Sequence, residues 1–227
     1  MQKTILLNWK ANKNILEAEY WLNNFPKNLL DKKSDFKLII APPLPLLSQM
    51  RRLIDHQQLP ISLAVQDISA QKAGAYTGEV VAKNLEFLGV EMAIIGHSER
   101  RRLFNENCQL VATKVQRALE ADIGVVLCLD EPDFPDQAKL LTQQERNKIS
   151  VAYEPVSAIG SGQAVAPPQV SKFFTKLRQY FPFNPLIYGG SVDPSNIKDF
   201  LAISDGVLVS SAALEINDFV RLMQAII

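Results

Sequence analysis

The chain has 227 residues, of which 47% are hydrophobic and 21% charged, a composition that is ordinary for a globular protein with a large core. Lysine plus arginine and aspartate plus glutamate number 24 each, so no net charge favours nucleic acid or an anionic membrane. Two cysteines, Cys108 and Cys128, are too few for a disulfide framework, and no Cys/His cluster indicates a metal site.

The apolar runs are all shorter than the roughly 18 residues of a membrane span. The amino-terminal MQKTILLNWKANK reaches lysines after a short apolar run, unlike a signal peptide. We therefore expect a soluble cytoplasmic protein with neither a membrane nor a nucleic-acid partner.

Eight short runs along the chain predict β-strands. Most are continuously apolar rather than alternating, which is typical of strands that are covered on both faces. In chain order the runs are TILLNW, FKLIIAP, ISLAVQD, EMAIIGH, IGVVLCL, ISVAYEP, PLIYGG and DGVLVS.

The segments between these strands carry helical signals. ILEAEYWLNNFPKNLL repeats apolar residues at a spacing of three and four, although Pro26 must interrupt or kink the helix. LVATKVQRALEA and VSKFFTKLRQYF predict clearer amphipathic helices. DEPDFPDQAKLLTQQERNK has two early prolines, and we expect a compact fifth unit with one helical stretch.

Eight strands, each followed by a helix or helical turn, predict a parallel sheet with helices outside it. Eight such units in under 250 residues favour a closed (β/α)8 barrel over an open doubly wound sheet. No linker or charge block divides the chain, so we expect one domain over residues 1–227. Active sites of such barrels lie at the carboxyl ends of the strands.

Polar side chains follow several of the predicted strands. Strand one ends in Asn8-Trp9-Lys10, strand four reaches His97, and strand six ends at Glu154. An ammonium, an imidazole and a carboxylate are thus expected at one rim.

Each of these groups also has a structural interpretation. Lys10 suits a solvated strand-end charge, His97 a hydrogen-bonded structural histidine, and Glu154 a salt-bridge partner for an arginine. The other histidine, His56 in IDHQQLP, is predicted to lie on the surface near a helix end.

Two short motifs also allow more than one interpretation. ERRR at residues 99–102 suits a solvated face or, less well because of nearby acids, a nucleic-acid patch. YGGS at residues 188–191 suits a tight turn or a phosphate site built from backbone N–H groups.

Taken together, the motifs indicate a family. NWKANK, GAYTGE, GHSERR, CLDE, AYEPVSAIGSG, YGGSV and DGVLVSSAAL occur in this order. The chain therefore resembles the triosephosphate isomerases, specifically the bacterial type, from residue 4 to roughly residue 219. The resemblance implies interconversion of dihydroxyacetone phosphate and glyceraldehyde 3-phosphate in glycolysis and gluconeogenesis, with no cofactor and no metal.

The resemblance implies catalytic roles at five positions, in a family that is itself a standard example of acid–base tuning. Glu154 is the base, and His97 acts as a neutral imidazole that shuttles a proton, with its pKa lowered by a helix N-terminus. Lys10 supplies fixed positive charge, Asn8 a neutral donor, and Glu99 influences the position and charge of Lys10.

Substrate binding and a lid are implied in the same way. The substrate-binding residues are Asn8, Lys10, Gly160, Ser191, Ser210 and Ser211, the last four through their amides. The lid that excludes water during the reaction consists of Pro155, Val156, Ser157, Ala158, Ile159, Gly160, Ser161, Gly162 and Gln163.

GAYTGE matches the intersubunit loop of the family and so implies a homodimer or a higher homo-oligomer. The loop residues are Gly74, Ala75, Tyr76, Thr77, Gly78 and Glu79, with Thr77 directed to the neighbouring active site. A plain exposed turn is the alternative.

Four features depart from the family pattern. Ser157 stands where tryptophan is usual, Gln163 where lysine is usual, and Ser210 and Ser211 where two glycines are usual. The fourth is a shorter segment between Cys128 and Glu154. We expect each serine Cβ to resist a positive φ, to crowd the phosphate and to weaken substrate binding.

Two other functions remain open at this point. One is another phosphate-binding barrel isomerase that acts on a larger sugar or a cyclic phosphate. The other is a weakened or non-catalytic barrel that binds phosphometabolites or proteins, suggested by the two serines.

Overall fold

The computed structural model describes residues 2–30, 34–155 and 163–227. Within these ranges eight parallel strands close into a barrel in chain order, with β1 paired to both β2 and β8. The strands are β1 Lys3–Asn8, β2 Phe36–Ala41, β3 Ile61–Val65, β4 Val90–Ile95, β5 Gly124–Leu129, β6 Ile149–Tyr153, β7 Leu186–Tyr188 and β8 Gly206–Val209. The predicted (β/α)8 barrel is confirmed.

Helices surround this barrel. They are α1 Ile15–Asn23, α2 Leu47–Gln57, α3 Ser98–Phe104, α4 Cys108–Glu120, α5 Phe134–Lys139, α6 Gln143–Arg146, α7 Pro167–Leu177, α8 Ile197–Ile203 and α9 Ile216–Gln224. Short 3-10 turns lie at Leu44–Leu46, Ala82–Leu85 and Ser211–Ala213.

The strands are apolar along their whole length because each one is covered on both faces. In β1, Leu6 points into the barrel interior, while Ile5 and Leu7 pack outward against the helices. The same alternation separates a small interior cluster from the large cluster beneath the helices. The barrel interior is thus filled by side chains, and a site that uses the strands can lie only at their ends.

The first helix follows its local signals. Asn14 caps α1 by accepting the N–H of Glu17, whose side chain accepts the N–H of Asn14 in return. The helix ends at Asn23, so the predicted interruption at Pro26 is confirmed.

The fifth unit differs from its prediction. It contains two short helices, α5 and α6, where we expected one helical stretch. Pro135 lies in the first turn of α5, and a capping box between Thr142 and Glu145 starts α6. Two separate start signals therefore divide a segment that looked continuous.

In the described part of the chain, the helices are all too short or too polar to cross a membrane.

Candidate active site

The carboxyl ends of the strands bring the predicted polar residues together. Lys10 follows β1, His97 follows β4 and Glu154 follows β6, while Ser191 follows β7 and Ser210 and Ser211 follow β8. A cavity of about 550 Å³ opens at this end of the barrel, lined by Lys10, His97, Gly189, Gly190, Ser191, Val192, Asp193, Leu208, Ser210, Ser211 and Ala212. It therefore connects an ammonium and an imidazole to the loops after β7 and β8.

The turn after β1 holds Lys10 in a strained backbone conformation. Its φ is 52°, in the left-handed region that costs a residue with a Cβ about 1–2 kcal/mol. The buried side chain of Asn8 accepts the Lys10 N–H at 3.0 Å, and Gln66 Nε2 donates to the Lys10 carbonyl at 2.8 Å. Side chains at the ends of β1 and β3 thus stabilise the turn that positions the Lys10 ammonium.

Lys10 Nζ lies 2.6 Å from Glu99 Oε1. Burial acts to raise the pKa of Glu99, but the hydrogen bond from Lys10 and the surrounding positive charge outweigh it and hold the pKa below its usual value. The Glu99 carboxylate is therefore ionised at neutral pH, and its contact with Lys10 links the end of β1 to the first turn of α3.

His97 is buried and caps α3. Its Nδ1 accepts the N–H of Glu99 at 3.2 Å. An imidazole whose Nδ1 lone pair accepts a hydrogen bond is the neutral tautomer with its proton on Nε2. Gly96 directly before it has a φ of 72°, and a Cβ there would lie 2.8 Å from Arg101 Nη2. A glycine is needed for the turn that aims the ring.

Glu154 is almost fully buried, with 1% of its surface exposed. Its Oε2 accepts the N–H of Ser98 at 3.0 Å. Its Oε1 lies 3.2 Å from His97 Nε2 but is not aligned for a hydrogen bond, and it has no other partner among the described residues. Among the described residues this oxygen therefore has no hydrogen-bond partner, as is also true of Asp67 Oδ1 and Glu106 Oε2.

The carboxylate of Glu154 faces a second cavity of about 290 Å³ beside the larger one. The Cys128 side chain also lines it; burial raises the pKa of that thiol well above its usual value, and the Glu154 charge raises it further. The thiol is thus a neutral neighbour of the carboxylate.

Gly189 lines the larger cavity and lies against Glu154, which lines the smaller one. A Cβ at this position would lie 2.9 Å from Glu154 Cγ and 3.3 Å from the Tyr153 carbonyl. At the next position, a Cβ on Gly190 would fall on the Tyr188 hydroxyl, which accepts the Val165 N–H at 3.2 Å. The two glycines of YGGS therefore leave room for the glutamate and for the tyrosine, in addition to forming a turn.

The serines after β8 correct one expectation. Ser210 has a φ of −121°, and neither Ser210 nor Ser211 has a positive φ. The predicted positive φ is therefore wrong at both positions. Both residues line the larger cavity, and the crowding of a ligand by their side chains stays a prediction.

The interpretation of residues 99–102 as a solvated face is wrong for two of the arginines. Arg100 Nε contacts Asp67 Oδ2 at 2.8 Å and Glu106 Oε1 at 2.7 Å, and Lys114 Nζ contacts the same two oxygens at 2.6 Å each. Burial raises the pKa of Asp67 despite the Lys114 ammonium. Arg101 Nε donates to the carbonyl of the residue before His97. These contacts fix the base of α3 beneath the site.

Several predicted positions lie at the edges of the described part. Pro155 is buried and Gln163 is exposed, whereas the predicted lid residues between them, including Gly160, lie outside the described residues. The loop Gly74–Glu79 is an exposed turn, with a φ of 87° at Gly78. His56 is exposed in the last turn of α2, as predicted.

Two residues of the site were missed by sequence reasoning. Gln66 directly follows β3, so the strand-end argument that found His97 could also have found it. Ser98 contributes its backbone N–H, which no side-chain pattern reveals.

The fold and site together define a (β/α)8-barrel enzyme with its polar groups at the carboxyl ends of the strands. A sequence model of the family described as triosephosphate isomerase matches residues 3–226. The chain belongs to the triosephosphate isomerase family.

Individual triosephosphate isomerases align with this chain over nearly their whole length. A triosephosphate isomerase of Aquifex aeolicus is 32% identical, over 98% of this chain and 99% of its own. That of Thermus thermophilus is 34% identical over 96% of both chains, and that of Mesomycoplasma hyorhinis is 34% identical over 98% of both.

Proposed function

We propose that the protein interconverts dihydroxyacetone phosphate and D-glyceraldehyde 3-phosphate by proton transfer through an enediol or enediolate. The observation that carries the proposal is the convergence of Lys10, His97 and a Glu154 that is 1% exposed at one end of the barrel. Membership in the triosephosphate isomerase family supports the substrate.

Glu154 is proposed as the base that moves a proton between adjacent carbons. Among the described residues, one oxygen of this carboxylate has no hydrogen-bond partner and so keeps lone pairs that can accept a substrate proton. To reach a substrate in the larger cavity, it turns away from the Ser98 N–H and past Gly189, where the missing Cβ leaves space. The carboxylate abstracts the proton from one carbon and returns it to the neighbouring one.

His97 and Lys10 are proposed to stabilise the charge that develops on the substrate oxygens. The neutral imidazole offers Nε2–H as a donor and can pass this proton between the two oxygens. The ammonium of Lys10 supplies fixed positive charge, positioned by Glu99 at 2.6 Å. Asn8 is proposed as a neutral donor, while its Oδ1 holds the Lys10 N–H.

The phosphate is proposed to bind between the loops after β7 and β8. Ser191, Ser210 and Ser211 line this part of the cavity, and a 3-10 turn begins at Ser211. We keep Gly160 as a further amide donor and residues 155–163 as the lid, as the family resemblance implies. The hydroxyls of Ser210 and Ser211 crowd the phosphate more than glycine would.

We further propose a homodimer or a larger homo-oligomer formed through the loop Gly74–Glu79. The exposure of the whole loop, including Tyr76 at 46%, supports a role as a contact surface. A mass measurement at micromolar concentration tests this, and a fully active monomer would contradict it. The proposed location is the cytoplasm and the proposed pathway glycolysis and gluconeogenesis.

A coupled assay of the purified protein with glyceraldehyde 3-phosphate, larger sugar phosphates and cyclic phosphates tests the reaction. We expect turnover of the triose phosphate alone. Turnover of a larger substrate in its place would indicate a different barrel isomerase. Phosphate binding with no turnover would indicate the non-catalytic alternative, which the family comparison does not favour.

A further inference from the structure

Lys13 stands where local structure disfavours a lysine. Its φ is 76°, in the left-handed region that favours glycine. It directly precedes Asn14, the N-cap of α1, and a positive charge at a helix N-terminus opposes the helix dipole. Since neither the turn nor the helix gains from this residue, its side chain must contribute elsewhere.

The Lys13 side chain is only 6% exposed and bridges two loops of the site. Its Nζ lies 5.5 Å from the centre of the Trp9 ring and 3.6 Å from Glu215 Oε1. Trp9 is buried directly before Lys10. Glu215 lies four residues after Ser211, and its side chain makes no capping hydrogen bond to α9. One side chain therefore connects the β1 loop to the β8 loop.

The charge of Lys13 is also less neutralised than that of Lys10. The Lys10 ammonium contacts Glu99 at 2.6 Å. The Lys13 ammonium lies 3.6 Å from Glu215, and the Glu215 side chain is 70% exposed. Solvent screens such a distant, exposed carboxylate more strongly than a close, partly buried one. Lys13 therefore adds net positive charge beneath the β1 and β8 loops.

We propose that Lys13 is a positioning residue for anion binding. It holds the β1 loop against the β8 loop and so sets the separation between the Lys10 ammonium and the end of the cavity at Ser210 and Ser211. The inference rests on the proposed function, in which one substrate contacts both loops. Inorganic phosphate, a probe that requires no turnover, separates the two claims.

The test compares Lys13→Met with wild type, because methionine keeps an unbranched stem beside Trp9 and removes the charge. We expect the Kd for inorganic phosphate, measured by titration calorimetry, and the KM for glyceraldehyde 3-phosphate to rise about fivefold, the scale of a single coupled interaction. We expect kcat to stay within about twofold and Lys13→Arg to restore both constants. Lys139→Met is the control: it removes an exposed lysine paired with Asp136, and we expect the phosphate Kd and the KM to stay unchanged.

Phosphate affinity equal to that of wild type in a folded Lys13→Met protein would overturn the proposal, and so would a fall in kcat at constant KM. If Lys13→Met does not fold, Glu215→Gln takes its place. A phosphate affinity of Glu215→Gln equal to that of wild type would then overturn the proposal. The two claims can also separate. If wild type binds phosphate but has no isomerase activity, and Lys13→Met binds phosphate more weakly, the result would support the positioning role and refute the proposed function.

Discussion

Gly189 lines the larger cavity and lies against Glu154, and replacing it by alanine tests whether Glu154 needs this space. The new Cβ would lie 2.9 Å from Glu154 Cγ and 3.3 Å from the Tyr153 carbonyl, closer than a side-chain carbon normally approaches. Overpacking of this kind costs about 1–3 kcal/mol, and each kcal/mol lowers the Tm of a chain of this size by about 2–4 °C.

The effect on catalysis is expected to exceed the effect on stability. A displacement of the base by about 1 Å lowers the rate by up to about 100-fold, so we expect kcat to fall about 10- to 100-fold while KM changes little. The coupled isomerase assay measures both constants, and thermal unfolding measures stability.

Gly124→Ala is the matched control. A Cβ there would also approach another atom at 2.9 Å, the Glu91 carbonyl, but at the amino-terminal end of β5. We expect a similar loss of Tm with unchanged kcat. A wild-type kcat in Gly189→Ala, or an equal fall of kcat in both variants, would refute the reasoning.

Three further predictions concern the surroundings of the site. The double variant Ser210→Gly plus Ser211→Gly should lower KM in the same assay, and an unchanged KM would count against crowding by the hydroxymethyl groups. Lys114→Met should destabilise the protein by about 1–3 kcal/mol in denaturant unfolding, because Glu106 and Asp67 keep Arg100 but lose their second cation; an unchanged stability would contradict this. The pKa of Glu99 is lowered by folding, so its stabilisation is present above about pH 4.5 and disappears as the pH falls through the lower folded value. The loss of Tm in Glu99→Gln should therefore shrink as the pH is lowered below 4.5, and a constant loss would be inconsistent with the ion pair.

The barrel was predictable because its signals are local. Strands covered on both faces are apolar throughout, so runs such as FKLIIAP identify them without knowledge of their neighbours. Pro26 likewise ends α1 by its own geometry. In the fifth unit the sequence predicted one helical stretch and missed its division into α5 and α6, although the Thr142–Glu145 capping box is a sequence signal.

The site was predictable only in outline. The strand-end rule located Lys10, His97 and Glu154, because it depends on topology alone. The contact between Glu154 and the Ser98 N–H depends on the rotamer of one side chain and on a backbone donor 56 positions away. No pattern in the sequence encodes either.

Other features depend on pairings between distant parts of the chain. Lys114 and Asp67 are 47 positions apart and meet only because α4 packs beside the end of β3. The glycines that are usual in the family suggested a positive φ at Ser210, but the φ observed in this loop is negative. Residue identity alone therefore predicted a positive φ at a position where the structure has a negative one.

The central claim is that Glu154 moves the proton, and the kcat of Glu154→Gln in the coupled assay tests it most directly. Glutamine keeps the shape of the side chain and can still contact Ser98, but it cannot accept the proton. We predict that kcat falls by about 10²- to 10⁴-fold, the contribution of a positioned general base, while the Tm stays near that of wild type. A kcat comparable to that of wild type would contradict the assignment of Glu154 as the base.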